Sequence, residues 1–264
     1  MAEDGFRWGS QVVDISARDL PGLKAKFMVS HAPRAGSVLE VGCGQGKMLR
    51  TLASHAPGVS LHGCDIRAVE DENPCFEFRS LDPDDAKLPY DDAMFDAVLL
   101  MDVLEHVPHP ERTLDEVQRV LRPGGLLVAF VPAEGEAISA YRVYRALLGQ
   151  DLYAETKTHI QAFSRERLHT LVSNRFHVID HRFAYHFLGH LMDATLFAAM
   201  KLKPLGNMYW KENSYYQEQT SPSLVSKVFN GALVAANRLA WAESVALSKV
   251  PYSAAGVLFA ARKE

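Results

Sequence analysis

Apolar positions along the first half of this chain follow two rhythms. Short apolar runs of strand length lie at 37–41, 59–64, 76–78, 95–101 and 126–131. Between them the spacing is helical. Met48, Leu49 and Leu52 share one face of a helix over 46–55, and Leu114, Val117, Val120 and Leu121 share one face of another over 110–121. Arg122-Pro-Gly-Gly125 ends that second helix. The run F-D-A-V-L-L-M at 95–101 is nearly all apolar, as a strand covered on both faces should be. Strand–helix alternation of this kind predicts a mostly parallel sheet.

The second half is less regular. A helix is expected over 137–148, another from Ser164 to about Ser173, and strands over 176–184 and 255–261. Two apolar helical stretches, 187–202 and 224–242, lie between those strands. In the second, Leu224, Val225, Val228, Phe229, Ala232, Leu233, Ala236, Leu239 and Ala240 fall on one stripe, so that face is expected to be buried. Residues 1–264 thus read as one domain. Within it, 185–250 form a helical cap before the last strand that would choose the substrate, its Tyr209, Trp210, Tyr215 and Tyr216 suiting an apolar or aromatic pocket.

Charge and composition narrow the class. At 48% hydrophobic residues a buried core is expected, and a net charge of −4 argues against nucleic acid as a partner. Acids dominate between Asp65 and Asp96, whereas bases outnumber acids after His181. That basic excess allows weak peripheral contact with a membrane, but no apolar run reaches the roughly 18 residues of a span. Cys43, Cys64 and Cys75 form no C-x-x-C pair, and residues 1–10 lack an apolar run. The expectation is a cytoplasmic protein, monomer or homodimer, with Cys43 and Cys64 as buried small residues.

The chemistry begins at V-L-E-V-G-C-G-Q-G-K-M-L, residues 38–49. A strand runs into Gly42, Gly44 and Gly46, and a helix follows. Such a turn lets backbone approach a ligand, and the helix start offers free N–H groups. Dinucleotide sites use a similar turn, but Lys47 stands where their third glycine would be. Glu40, two residues before Gly42, suits a ligand with a cationic amine better than a pyrophosphate. Asp65, closing the second strand in H-G-C-D-I, can accept from both hydroxyls of a ribose, or can be a surface acid at a strand end.

Taken together, E-V-G-C-G-Q-G, Asp65, D-A-K-L-P-Y followed by F-D-A-V, L-E-H-V-P-H-P and R-V-L-R-P-G-G-L-L resemble the class I S-adenosylmethionine (SAM) dependent methyltransferases. The nearest subgroup contains the quinone-biosynthesis methyltransferases. The resemblance covers about residues 35–131 and is fainter as far as Phe183. It implies a Rossmann-like α/β fold with a mostly parallel seven-stranded sheet and helices on both faces, into which the cap read above inserts before the last strand. It also implies SAM as cofactor and S-adenosylhomocysteine as product. Glu40, Gly42, Cys43 and Gly44 would hold the methionine end, Asp65 the ribose, and Ile66 the adenine face. An acid of the D-P-D-D-A-K-L-P element would take the adenine amino group. Asp82, Asp84 and Asp85 compete for that role; Asp84 and Asp85 are favoured, with Ala86 beside them. Met101 and Asp102 would form the floor under the sulfonium. Only a short stretch separates Asp65 from Phe76, so the usual helix there is short or absent and the adenine edge more open.

Methyl transfer from a sulfonium needs alignment first, and a base only where the nucleophile arrives protonated. The candidate catalytic residues are His106, just past the fourth strand, and His159, before the F-S helix start. Each also has a plain reading as a capping or packing residue. His186 and His190 have the i, i+4 spacing of a metal pair, but no third ligand accompanies them, so no metal is assigned. The expected reaction is O- or C-methylation of a small lipophilic or aromatic metabolite. Alternatives are a sugar or nitrogen acceptor, and a SAM-binding regulator without turnover.

Overall fold

The computed structural model describes residues 12–71, 73–82, 87–136, 146, 159–192 and 224–264, with no account of the side chains of 224–230 and 233. Its centre is one seven-stranded sheet: β1 Gly36–Val41, β2 Val59–Asp65, β3 Glu77–Ser80, β4 Phe95–Met101, β5 Leu121–Pro132, β6 His177–Ala184 and β7 Gly256–Arg262. The strand order is β3-β2-β1-β4-β5-β7-β6. β3, β2, β1, β4 and β5 run parallel, and β7 is antiparallel to both its neighbours. Five helices lying wholly within the described residues accompany it: α1 Leu20–His31, α2 Lys47–His55, α3 Pro110–Val120, α4 Arg165–Ser173 and α5 Leu224–Ala246.

Strand periodicity sorts the core into two layers. Leu39, Val41, Val98 and Leu100 point to the face covered by Leu114 and Val117 of α3 and Leu168 and Val172 of α4. Val38, Ala97, Leu99 and Met101 point to the other, against Phe27 and Met28 of α1 and Leu49 and Leu52 of α2. Glu40 has the parity of Val38, so its carboxylate is committed to the α2 side, inside an apolar layer.

Several elements differ from the sequence expectation. α1 was not anticipated, although Asp19 caps it by accepting from the Gly22 N–H at 2.7 Å and a proline stands in its first turn. β5 starts directly after α3, at Leu121, so Arg122-Pro-Gly-Gly125 is an irregular strand start, with the register shifting opposite Phe95–Ala97. The stripe expected on α5 is corrected where side chains are described. Ala232 is exposed and Leu239 is 62% exposed, while Ala240 and Ser244 are buried. The helix is apolar on more than one side, so composition could not set its phase. Small residues face inward because the backbone comes close at Gly189, whose added Cβ would lie 3.6 Å from Ala240 Cβ. The helix expected over 137–148 falls outside the described residues but for position 146, and of the stretch 187–202 only 187–192, which is helical, is described.

One bracket ties the sheet to the segment that precedes β4. Arg119 of α3 donates to the carbonyls of Leu88 and Tyr90 and to Asp92 and Glu116, while Glu116 accepts from the Leu88 N–H at 2.9 Å. The Arg119 guanidinium beside it holds the Glu116 carboxyl below the ordinary carboxylate value. A folded pKa below the unfolded one means the folded state binds fewer protons. This contribution is therefore full above the unfolded value of about 4.3 and fades as pH falls through the folded one. Glu116→Gln is expected to destabilise the protein by roughly 1–2 kcal/mol at pH 7 and to flatten the loss of stability below pH 5, read by urea unfolding at several pH values.

Candidate active site

The parallel strands β1, β2, β4 and β5 all end at one edge of the sheet, and the order reverses at β1, between β2 and β4; that crevice is where open α/β sheets bind ligands. The glycine turn fills it. Gly42 and Cys43 both donate their N–H groups to the Cys64 carbonyl, at 2.8 and 3.1 Å. Gly44 donates to Asp65 Oδ2 at 2.8 Å, and the Arg67 N–H to Oδ1 at 3.0 Å. Gly44 sits at φ +51, and a Cβ added there would meet nothing within 4 Å. Its glycine therefore serves conformation and open approach rather than packing. Gly46 differs: its left-handed backbone leads into α2, and a Cβ would strike the Phe76 ring.

Glu40 lies beneath this turn at 3% exposure, with Oε2 buried and unpartnered. Burial pushes its carboxyl well above the ordinary range, although the Leu49 N–H of α2 is directed at it. A cationic ligand above the turn would supply the missing partner. Ile66 is 58% exposed beside Asp65, an uncovered apolar side chain at the mouth of the crevice. No helix forms among the described residues from 66 to 76, so the edge there is open. Asp84, Asp85 and Ala86 lie outside the described residues, while Asp82 falls within them. The segment that follows is anchored by Tyr90, whose hydroxyl donates to the Gly63 carbonyl at 3.1 Å. Cys43 and Cys64 are buried, and burial raises both thiols, Cys64 to about 12, which suits packing and not nucleophilic attack.

Met101 is 8% exposed in the layer facing α1 and α2. Asp102 next to it takes a left-handed backbone, φ +58, and pairs with Lys24 of α1 at 2.7 Å. The Lys24 ammonium stands 3.7 Å from the centre of the Phe130 ring and 5.3 Å from that of Tyr185. Tyr185 is also left-handed, at φ +55. Two strained residues thus flank one buried cation at the edge of the sheet. Lys24 was not legible in the sequence, because its helix was not.

His106 and His159 do meet. Their ring centres are 4.7 Å apart, edge to face. The contact is built by backbone: the N–H groups of Ile160 and Gln161 donate to the Glu105 carbonyl at 3.0 and 3.1 Å, and the Gly135 N–H donates to the Phe163 carbonyl. A Cβ on Gly135 would lie 2.7 Å from the Ala162 carbonyl oxygen, so only glycine lets the two segments touch. Glu134 is thereby placed 2.9 Å from His159 Nδ1, and both side chains are almost fully buried. With the carboxylate accepting, His159 Nδ1 is the donor of this pair. Glu105 is 1% exposed, with neither carboxylate oxygen hydrogen-bonded, and burial together with the Asp102 charge pushes its carboxyl well above the ordinary range. Neither Glu105 nor Glu134 was singled out from the sequence. His186 and His190 are buried side chains on a different wall, with His186 Nε2 on the Val250 carbonyl at 3.0 Å.

Fold and site together define the class, an α/β domain with a glycine turn and an acid, Asp65, at the switch point. Residues 17–175 match the family model described as a methyltransferase domain, and the chain belongs to that family. Squalene methyltransferase 1 of Botryococcus braunii is 30% identical over 145 residues, covering 48% of this chain and 38% of that protein. Demethylmenaquinone methyltransferase of Thermus thermophilus is 30% identical over 149 residues, covering 53% and 61%. The chain thus spans less than two thirds of either relative. Among solved structures, the MccD protein superposes with a TM-score of 0.58 at 18% identity, covering 92% of this chain and 99% of that one. The geranyl diphosphate C-methyltransferase of Streptomyces coelicolor superposes with 0.55 at 15% identity, covering 92% and 78%. These two likenesses show the fold.

The Lys24 pair generates a test of its own. Lys24→Met should cost roughly 1–3 kcal/mol by leaving the Asp102 carboxylate without its partner. Adding Asp102→Asn should recover part of that loss in a double-mutant cycle read by thermal unfolding; additive losses would show that the pair is not coupled.

Proposed function

We propose that the protein transfers a methyl group from SAM to an oxygen or carbon of a small lipophilic or aromatic metabolite, releasing S-adenosylhomocysteine. The observation that carries this reading is that the carboxyl edge of the sheet holds both a glycine turn and a polar cluster. On one side stand Gly42, Gly44, Asp65 and Glu40 with its unpartnered Oε2; on the other, the cluster of Glu105, His106, His159 and Glu134, buried but for His106. Membership of the methyltransferase family supports it, as do relatives named for squalene and demethylmenaquinone.

Bound SAM supplies a methyl group already activated on a sulfonium. The chain's task is to hold the partners in line and keep water out. Glu40 with the turn at Gly42, Cys43 and Gly44 would receive the methionine end. Asp65, already accepting from Gly44, would take the ribose hydroxyls, Ile66 would cover the adenine, and Asp84, Asp85 and Ala86 would line its far edge. Met101 and Asp102 would form the floor. On the acceptor side, an acceptor hydroxyl gives up its proton at the Glu105–His106–His159 cluster, with Glu134 fixing the orientation of His159. The cap over 185–250 would close this side; among its described residues, α5 docks through Ser244, which accepts from the Tyr185 N–H at 3.1 Å, next to the Phe130–Lys24 contact.

No helix among the described residues is long and apolar enough to cross a membrane. Free thiols at Cys43, Cys64 and Cys75 support a cytoplasmic address, and the chain works as a monomer or homodimer.

Calorimetry should show binding of S-adenosylhomocysteine, weakened by about 1–3 kcal/mol in Asp65→Ala. Preference for NADH over SAM would sink the reading. On the acceptor side, His159→Ala should lower turnover roughly 10²–10⁴-fold while leaving cofactor affinity unchanged. If His106→Ala and His159→Ala each lose less than threefold, alignment alone drives the step and the cluster has no chemical role.

A further inference from the structure

We propose that Glu105, His106 and His159 bind one divalent transition-metal cation of zinc-like chemistry at the acceptor wall. This inference rests on the reading of that wall as the acceptor side of a methyltransferase, and it names the means by which the wall acts.

One carboxylate oxygen and one nitrogen from each of the two imidazoles lie within 4.8 Å of one another, the one such metal-capable group among the described residues. Donors around a tetrahedral ion at about 2.1 Å stand roughly 3.4 Å apart, so closing the site takes a shift of about an ångström. His106 is 38% exposed, and its exposed edge is the way in for an ion. Two imidazoles and one carboxylate form a donor set that suits first-row ions such as zinc, iron or manganese and leaves positions open for a further ligand.

Two independent observations point to an occupant. The first is Glu105. A carboxylate almost wholly out of water, with both oxygens lacking any hydrogen bond, lacks a partner that the fold otherwise supplies to buried polar groups. His106 Nε2 approaches it only to 3.9 Å, beyond hydrogen-bonding range. The second is Glu134. Its carboxylate fixes His159 through Nδ1 at 2.9 Å, the carboxylate–imidazole arrangement that orients a ligating ring toward a metal. Among the described residues, the nearby cation Lys24 is already paired with Asp102.

The open position of the ion faces the acceptor side. An acceptor hydroxyl entering it would lose its O–H proton to water at the exposed His106 edge, since coordination lowers the pKa of a bound O–H group by several units. The resulting oxyanion is the nucleophile: its new bond to the methyl carbon forms as the C–S bond breaks, and the sulfur keeps that electron pair as a neutral thioether. The class of acceptor is a hydroxylated lipophilic or aromatic compound.

The test uses the full chain, stripped of metal by a chelator and titrated with zinc in competition with a chromophoric chelator. One equivalent should bind, and Glu105→Gln, His106→Gln and His159→Gln should each weaken it at least 100-fold. Glu134→Gln should weaken it 10–100-fold through His159. Cys75→Ser and His177→Gln, both at exposed positions away from this wall, should change nothing. Circular dichroism and S-adenosylhomocysteine affinity show that each variant is folded; His106→Gln, the most exposed of the three, decides the matter should the buried variants fail. Absent binding, or binding that survives His106→Gln and His159→Gln or is lost with Cys75→Ser, overturns the proposal. Zinc binding in a protein that takes neither SAM nor its product would sink the functional reading and leave the cation site standing. Metal-independent turnover without zinc binding would do the reverse.

Discussion

The reversal of strand order at β1 is the constraint on which the site depends. Right-handed connections place the carboxyl ends of parallel strands on one edge, and a strand with neighbours reached in opposite directions leaves a crevice above itself. Gly42 and Cys43 bond to the end of β2, Gly44 bonds to Asp65, and Glu40 is buried below them. None of these groups can move without disturbing the pairing of β1 with both β2 and β4. The ligand turn is therefore as rigid as the centre of the sheet, although it is loop by conformation.

The cluster of Glu105, His106, His159 and Glu134 has a different physical basis. It joins segments far apart in the chain through a few backbone bonds, at Glu105 and Gly135. The side chains it gathers are costly to bury: an unpartnered carboxyl, a carboxylate on an imidazole, and an ammonium held between a carboxylate and two rings. A fold selected for stability alone would fill this edge with apolar groups, as it fills both faces of the sheet. Polar groups are thus concentrated at the carboxyl edge of the sheet, against an otherwise apolar interior.

Most strands were legible because β4 and β7 are apolar on both faces and each ends at a glycine or a charge. α1 escaped notice because its apolar residues do not form a clean stripe: Lys24 is buried with Ala25, Phe27 and Met28. α5 was legible as a helix but not in its facing, because leucine, valine and alanine surround it. His106 and His159 were recognisable as candidates by type and position, whereas Glu134, in P-A-E-G, carries no signal of its own.

The sequence by itself determined the fold class, the glycine turn, the acid at Asp65 and the family resemblance, because each is local: a run, a spacing or a strand end read within a few residues. Tertiary structure alone decided that Lys24 reaches Asp102, that Glu134 holds His159, and that Glu105 stands unpartnered beside two imidazoles. Those contacts join residues separated by 78, 25 and about fifty positions, and only the closure of the sheet's edge by α1 and the 159–163 segment brings them within reach. Local periodicity contains no information about such distances, whereas the strand order of the sheet does.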